Sequence, residues 1–174
     1  NFHDWLVENN IKPDVLINNA GVLPRFDRLM NYTKEEIDES INIDFYSAAY
    51  SSKIMLPLLM ESETPAIINV ASSAALMALG GTSMYSASKA AVKGLTEAMR
   101  EELRGEAYIG LVCPGFTKTD IFRNQGETNG MDLINMVSTP CDKAVNRILK
   151  GILKKKSYIV VGFDGNAMGR FNRL

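Results

Sequence analysis

The sequence is poor in the residues from which metal centres, disulfide frameworks and membrane spans are built. Its 174 residues include one histidine and two cysteines. His3 lies alone in a predicted first helix, so we expect no metal site. Cys113 and Cys141 are too few for the disulfide framework of a small secreted protein. The longest apolar stretch is broken by the polar residues 51–53 and does not reach the ~20 residues of a membrane span.

The sequence also lacks an excess of charge of either sign. Its net charge is −1 at pH 7, so no general field attracts nucleic acid or an anionic membrane surface. These absences predict a cytoplasmic protein with no metal and no nucleic-acid or membrane partner. What is present is 46% hydrophobic residues against 22% charged ones, which suffices for one domain, residues 1–174, with its own core.

Short apolar runs alternate with helical patterns along the chain. Runs that end in turn residues, as buried parallel strands do, lie at 14–21, 66–72, 107–115 and 157–162. Between them, Thr33 and Glu36 form a capping box that opens a helix reaching about residue 60. Two further helices are predicted at 83–104, where Gly105 ends the helix, and at 141–155. The alternation predicts an α/β protein whose parallel sheet is covered by helices.

Small, polar and turn-forming residues collect where the predicted strands end. The first strand ends in NNAG (18–21), the second in Ser72 and Ser73, and the third in CPG (113–115). In a parallel sheet of this kind, ligands bind outside the carboxyl ends of the strands. The sequence therefore places the functional site at this edge.

Tyr85 and Lys89 stand four positions apart on the helix that follows the second strand. At this spacing the two side chains share one helix face, and Ser72 at the preceding strand end approaches the same place. A nearby cation stabilises a phenolate and lowers the pKa of the phenol, which can then exchange a proton with a substrate oxygen. The three residues predict acid/base chemistry on an alcohol or carbonyl group.

Three motifs accompany these residues: NNAG after a strand, a serine 13 positions before the tyrosine of YSASK, and CPGFTKTD at 113–120. Together they resemble the short-chain dehydrogenase/reductase family in its small single-domain branch, and the resemblance covers nearly the whole chain. It implies a Rossmann-like doubly wound parallel sheet. It also implies an enzyme that interconverts an alcohol and a carbonyl by hydride transfer with NAD or NADP.

The resemblance assigns roles to the matching residues. Tyr85 would be the catalytic acid/base, Ser72 would orient the substrate oxygen, and Lys89 would lower the pKa of Tyr85 and bind the nicotinamide ribose. Asn42 matches a helix asparagine that holds a water molecule in the family's proton relay. The residues expected to bind cofactor are Tyr85, Lys89, Asn19, Ala20, Gly21, Pro114, Gly115, Phe116 and Thr119, whereas Asn18 is expected to brace the sheet.

The resemblance also indicates what this sequence does not contain. The family opens with a strand and a glycine-rich turn that holds the pyrophosphate, and no such turn precedes NNAG here. We therefore expect the chain to lack the first βαβαβ portion, roughly two units of ~30 or more residues, and to be clipped at its C-terminus too. On this expectation, the 174-residue chain alone binds cofactor weakly and is inactive, and activity belongs to the full-length protein.

Two other functions are compatible with the residues. A reduced fold that has lost catalysis would be a binding or scaffold protein, and an epimerase or dehydratase would use the same tyrosine and lysine.

Helices 42–59 and 86–99 are rich in small residues, and the resemblance implies that they pair into a homodimer or homotetramer. Residues 117–137 would form a mobile substrate loop, with Arg123 and Asp132 facing solvent. Steroid, acyl-chain, sugar and small-diketone substrates all fit the sequence.

Overall fold

Four parallel strands form the sheet in a computed structural model, which describes residues 2–122 and 136–162. The strands lie side by side in chain order, in the register Val15↔Ala66, Ala66↔Tyr108 and Leu111↔Tyr158. All four predicted strands are confirmed, three of them shorter at both ends and the second shorter only at its C-terminal end. Their bounds are β1 Val15–Asn18, β2 Ala66–Val70, β3 Tyr108–Pro114 and β4 Tyr158–Val161.

Helices connect the strands as the sequence pattern predicts. The predicted capping box is present: the Thr33 hydroxyl accepts from the Glu36 backbone N–H, and the Glu36 carboxylate accepts from the Thr33 N–H. Gly105 follows the end of the longest helix with a positive φ of 84°, a conformation that glycine adopts without strain. Within the described ranges, every helix is too short or too polar to cross a bilayer. The helices are α1 Phe2–Glu8, α2 Lys34–Ser40, α3 Ser47–Leu59, α4 Ser83–Glu102 and α5 Cys141–Leu153.

The two faces of the sheet carry separate apolar cores. On one face, Ile67 and Ile109 pack against Leu59 of α3 and Met99 of α4. On the other, Ile68 and Val112 pack against Ala144 of α5. Because successive side chains of a strand point to opposite faces, helices on both sides of the sheet bury the interior positions of the two inner strands, β2 and β3. This arrangement is the doubly wound α/β sheet that the sequence predicts.

A buried network of amides and hydroxyls ties this sheet to its helices. The side-chain amide of Asn18 donates to Asn69 Oδ1 at 2.7 Å and to Ser52 Oγ of α3 at 2.9 Å. The amide of Asn69 in turn donates to Thr96 Oγ1 of α4 at 3.0 Å. Asn18 therefore braces β1 against β2 and α3, as the sequence predicts.

Gly151 of α5 lies so close to β4 that we expect alanine there to destabilise the protein. A Cβ at this position would lie 2.8 Å from Ile159 Cγ1 and Cγ2, and Ile159 is buried. Overpacking costs ~1–3 kcal/mol and exceeds the gain of ~0.5–1 kcal/mol in helix propensity. Denaturant unfolding should show a net loss of ~1 kcal/mol or more. Gly80→Ala, where a Cβ meets nothing within 4 Å, is the control, and equal stabilities for the two variants would contradict the packing described.

Candidate active site

A cavity of about 650 Å³ opens at the carboxyl ends of the strands. Most of the residues predicted for the site line it, which confirms that the strand ends converge there. Ala20 and Asn42 do not line it. The predicted residues that do are Asn19, Gly21, Ser72, Tyr85, Lys89, Pro114, Gly115, Phe116 and Thr119.

Ser72 follows β2 and caps the short 3₁₀ helix Ser73–Ala75. Its backbone is extended, and its hydroxyl oxygen accepts a hydrogen bond from the Ala74 N–H at 3.1 Å. Because a hydroxyl both accepts and donates, the proton of Ser72 remains available to another oxygen in the cavity. The cap therefore fixes the Ser72 hydroxyl at the cavity wall, where it also hydrogen-bonds with Tyr85.

Tyr85 lies in the first turn of α4, and its pKa is raised, whereas the sequence predicts a lowered pKa. Burial, with a smaller contribution from the Asp44 carboxylate, raises the pKa of Tyr85 to about 12, and the hydrogen bond with Ser72 only partly opposes this. Desolvation disfavours the charged phenolate, and a neighbouring negative charge disfavours it further. The net direction is therefore the reverse of the expectation, because burial outweighs the effect of a neighbouring cation on the phenol.

Lys89 is almost completely buried, one turn further along α4. Its ammonium lies 3.6 Å from Asp44 Oδ1 and 5.7 Å from the centre of the Tyr85 ring, and it donates to the Val70 carbonyl at 3.5 Å. Burial lowers the pKa of Lys89, and the Asp44 carboxylate acts against this. The charged lysine thus has a buried counter-ion that the sequence analysis did not identify.

Asp44, rather than Asn42, is the side chain of this helix that reaches Lys89. Asn42 is exposed, because residues two apart on a helix point in nearly opposite directions. The helix runs through a π-helical segment, Ile41–Tyr46, of a kind often found at functional sites. The sequence does carry a signal for the buried face of this helix, which is a spacing of four between small and polar residues. Its buried members are Ser40, Asp44, Ala48 and Ser52.

The loop after β1 is fastened beside the start of α4 by contacts that the sequence did not suggest. Arg25 bonds to Glu36 at 2.9 Å, to Asp27 at 2.7 Å and to the Asn31 carbonyl at 2.6 Å. The Tyr32 hydroxyl donates to the carbonyls of Arg25 and of Gly81 in the loop before α4. These bonds hold the wall of the cavity that faces Tyr85.

The opposite wall follows β3. The Gly115 N–H donates to the Val161 carbonyl at 2.7 Å, and the Lys118 N–H donates to the Thr139 carbonyl at 3.0 Å, which fixes this turn against β4 and the segment before α5. Beyond it, the predicted substrate-loop residues Arg123 and Asp132 lie outside the described residues. Residues 2–122 and 136–162 contain no group of three or more His, Cys, Asp or Glu side chains that could hold a metal.

Comparison with known proteins gives consistent matches. The family model described as short chain dehydrogenase matches residues 2–130. The chain is 35% identical over 149 residues to the ketoacyl reductase HetN of Nostoc, an alignment that covers 85% of this chain and 51% of that protein. It thus spans about half the length of this curated relative.

Two solved structures share the fold. A short chain dehydrogenase/reductase from Burkholderia phymatum in complex with NAD superposes with a TM-score of 0.81 at 23% identity, covering 98% of this chain and 68% of that one. A short-chain dehydrogenase from Sphingobium yanoikuyae in complex with NADPH superposes with a TM-score of 0.77 at 24% identity, covering 98% and 70%. At these identities the likeness concerns the fold.

Proposed function

This chain belongs to the short chain dehydrogenase family, and on that premise we propose that the protein interconverts an alcohol and a carbonyl compound by hydride transfer. The observation that carries the proposal is the convergence of Ser72, Tyr85 and Lys89 on one cavity. A hydroxyl, a phenol and an ammonium placed together can bind a carbonyl oxygen and supply its proton. The proposal concerns the whole protein, because the chain spans only part of its relatives.

The proposed cofactor is NAD or NADP, the two kinds bound in the structural neighbours. The residues present fit its nicotinamide end. Gly21 leaves room for the Lys89 ammonium against the backbone of the loop after β1, since a Cβ there would lie 2.7 Å from its nitrogen, and this brings the proposed ribose-binding lysine to the strand end. Asn19 and Gly21 would hold the group on one side, and Pro114 and Gly115 on the other. When bound, the nicotinamide supplies or accepts the hydride.

The chain's own residues would handle the substrate oxygen and its proton. In carbonyl reduction, the Ser72 hydroxyl donates a hydrogen bond to the carbonyl oxygen while the Tyr85 phenol transfers its proton to that oxygen. The Lys89 ammonium, 5.7 Å from the ring centre, stabilises the phenolate that remains. In alcohol oxidation the same proton returns to Tyr85. General acid/base catalysis of this kind contributes about 10²–10⁴-fold to the rate.

The test uses the native protein with NADH or NADPH and a panel of carbonyl compounds. A ketoacyl ester is the first probe, because one relative is a ketoacyl reductase, followed by a steroid ketone, an aldose and a small diketone. We expect carbonyl-dependent loss of the reduced-nicotinamide absorbance with at least one of them. No consumption of either nucleotide by folded protein, with any member of the panel, would contradict the proposal.

We also propose a homodimer or homotetramer built on α3 and α4. The outer side of α4 is an exposed stripe of small residues, Ala87, Ala90, Gly94 and Ala98. Beside it on the neighbouring helix, Tyr46 and Tyr50 are 41% and 58% exposed. Small residues allow helices to approach closely, and exposed aromatic rings are typical of interfaces.

A substitution on this stripe tests the assembly. Ala90→Arg should convert an oligomer to a monomer in light scattering after size-exclusion chromatography, because a long charged side chain would separate the paired helices. Glu63→Arg, at an exposed position in the turn before β2, is the control and should leave the mass unchanged. A wild-type monomer, or an Ala90→Arg variant that remains oligomeric, would contradict this interface.

A further inference from the structure

The buried pair of Asp44 and Lys89 goes beyond what the proposed reaction requires. The Lys89 side chain is 4% exposed and the Asp44 side chain 0% exposed, with 3.6 Å between ammonium nitrogen and carboxylate oxygen. Removing two charges from water is costly, and a buried pair persists only where further hydrogen bonds satisfy it. The partners of Asp44 therefore show how firmly this carboxylate is built into the site.

Three elements supply hydrogen bonds to the Asp44 carboxylate. The Val22 N–H, from the loop after β1, donates to Oδ1 at 2.8 Å. The Ser88 hydroxyl of α4 donates to Oδ2 at 2.7 Å, and the Ser40 hydroxyl of α2 donates to the same oxygen at 3.3 Å. Donors from three directions fix the position of the carboxylate. The Asp44 carboxylate is thus held in a fixed position beside α4.

The Lys89 ammonium is confined beside the Asp44 carboxylate. Its remaining close contacts are the Val70 carbonyl of β2, the backbone of Gly21 and the ring of Tyr85. Among the described residues, the titratable groups that face Lys89 are Asp44, from the π-helical segment, and Tyr85, from α4. From β2 and the loop after β1 it meets only uncharged groups.

We propose that Asp44 is a positioning residue that holds Lys89 as an ammonium beside Tyr85 and keeps the Tyr85 phenol protonated, so that carbonyl reduction extends to higher pH than Lys89 alone would allow. This inference rests on the proposed function of the site. Without the carboxylate, the ammonium would favour loss of the phenol proton. With it, the negative charge of Asp44 opposes that loss, and the proton needed for reduction is retained.

The signs of the expected changes follow from removing one negative charge. Lys89 loses the counter-ion that favours its ammonium, so its pKa falls. Tyr85 loses a charge that repels its phenolate, so its pKa falls as well. These directions agree with the contributions of Asp44, which raise the pKa of both groups in the wild type. The pKa values of Lys89 and Tyr85 would thus both fall. Loss of packing would instead expose both groups to water, which shifts the pKa values of a cationic and an anionic group in opposite directions.

The first measurement is an NMR titration of the Lys89 side chain in this chain without cofactor, with the signal assigned from Lys89→Arg. Asp44→Asn keeps the side-chain size and should lower the pKa of Lys89 by about 1–3 pH units, the usual effect of an opposite charge within ~4–6 Å. Asp44→Ser removes the same charge with a smaller side chain, should one variant fail to fold. Ser47→Ala, which removes from the same helix a hydroxyl that donates to the Ile43 carbonyl, is the control and should leave that pKa unchanged.

The second measurement is the pH profile of carbonyl reduction by the active protein. The alkaline limb, where Tyr85 loses its proton, should move to lower pH by about 1 unit or more in Asp44→Asn, with Ser47→Ala resembling the wild type. An unchanged Lys89 pKa in folded Asp44→Asn and Asp44→Ser, or an alkaline limb that does not move, would overturn the inference. Failure of the proposed function is a separate result: the wild type would then lack activity, while the Lys89 titration would still report on Asp44.

Discussion

Replacing Tyr85 with phenylalanine is expected to lower the rate of carbonyl reduction by about 10²–10⁴-fold, the contribution of a positioned general acid. Phenylalanine keeps the ring and its packing but removes the only phenol among the described residues that line the cavity. The proton would then have to come from water. Stability should change little, because the phenol is at the cavity wall and loses only its contact with Ser72.

Tyr108→Phe is the matched control for this experiment. Tyr108 begins β3, at the end of the sheet away from the cavity, and its hydroxyl donates to the Lys156 carbonyl at 2.8 Å. Its loss should cost ~0.5–1.5 kcal/mol of stability and leave the rate unchanged. The initial rate with the best carbonyl substrate is the measurement. A Tyr85→Phe variant within a few-fold of wild type would remove Tyr85 from its proposed role.

Replacing Lys89 with methionine should have the largest effect on stability. Methionine fills the space of the lysine stem, but it leaves the Asp44 carboxylate buried without its counter-ion. Removing one partner of a buried pair costs ~3–5 kcal/mol. Carbonyl reduction should be lost as well, because the phenolate would form beside an unpaired negative charge.

Lys93→Met is the control, one turn further along the same helix. Lys93 pairs with Glu97 at 2.9 Å and is 28% exposed, so its loss should cost ~0–1 kcal/mol. The double variant Asp44→Asn with Lys89→Met has no buried charge and should recover most of the stability that Lys89→Met loses. Denaturant unfolding of the variants measures these differences. Equal free energies of unfolding for Lys89→Met and Lys93→Met would show that the pair contributes nothing.

The architecture could be predicted from the sequence because local signals agree with it. The capping box at Thr33 and Glu36, the apolar runs and Gly105 each act within a few residues, and each marks an element end that the structure confirms. The strand ends then meet by topology alone, since parallel strands present their carboxyl ends at one edge. This places Ser72 and Tyr85 together without knowledge of any distance.

The helix register and the electrostatics of the site could not be predicted in the same way. Choosing Asn42 rested on resemblance, whereas the buried side of that helix is decided by which residues pack on the sheet, and Asp44 lies there. The pKa of Tyr85 depends on burial and on Asp44, both of which are tertiary effects. The bonds of Arg25 to Glu36 and Asp27 join residues with no shared pattern in the sequence.

Hydride transfer with Tyr85 as the proton donor can be tested by following the transferred hydrogen. The native protein is incubated with a carbonyl substrate from the panel and with reduced nicotinamide deuterated at its transferable position, and the alcohol is analysed by mass spectrometry. We expect deuterium on the former carbonyl carbon with wild-type protein and almost none with Tyr85→Phe over the same time. Alcohol that forms without deuterium, or equal incorporation by both proteins, would contradict hydride transfer with Tyr85 as the proton donor.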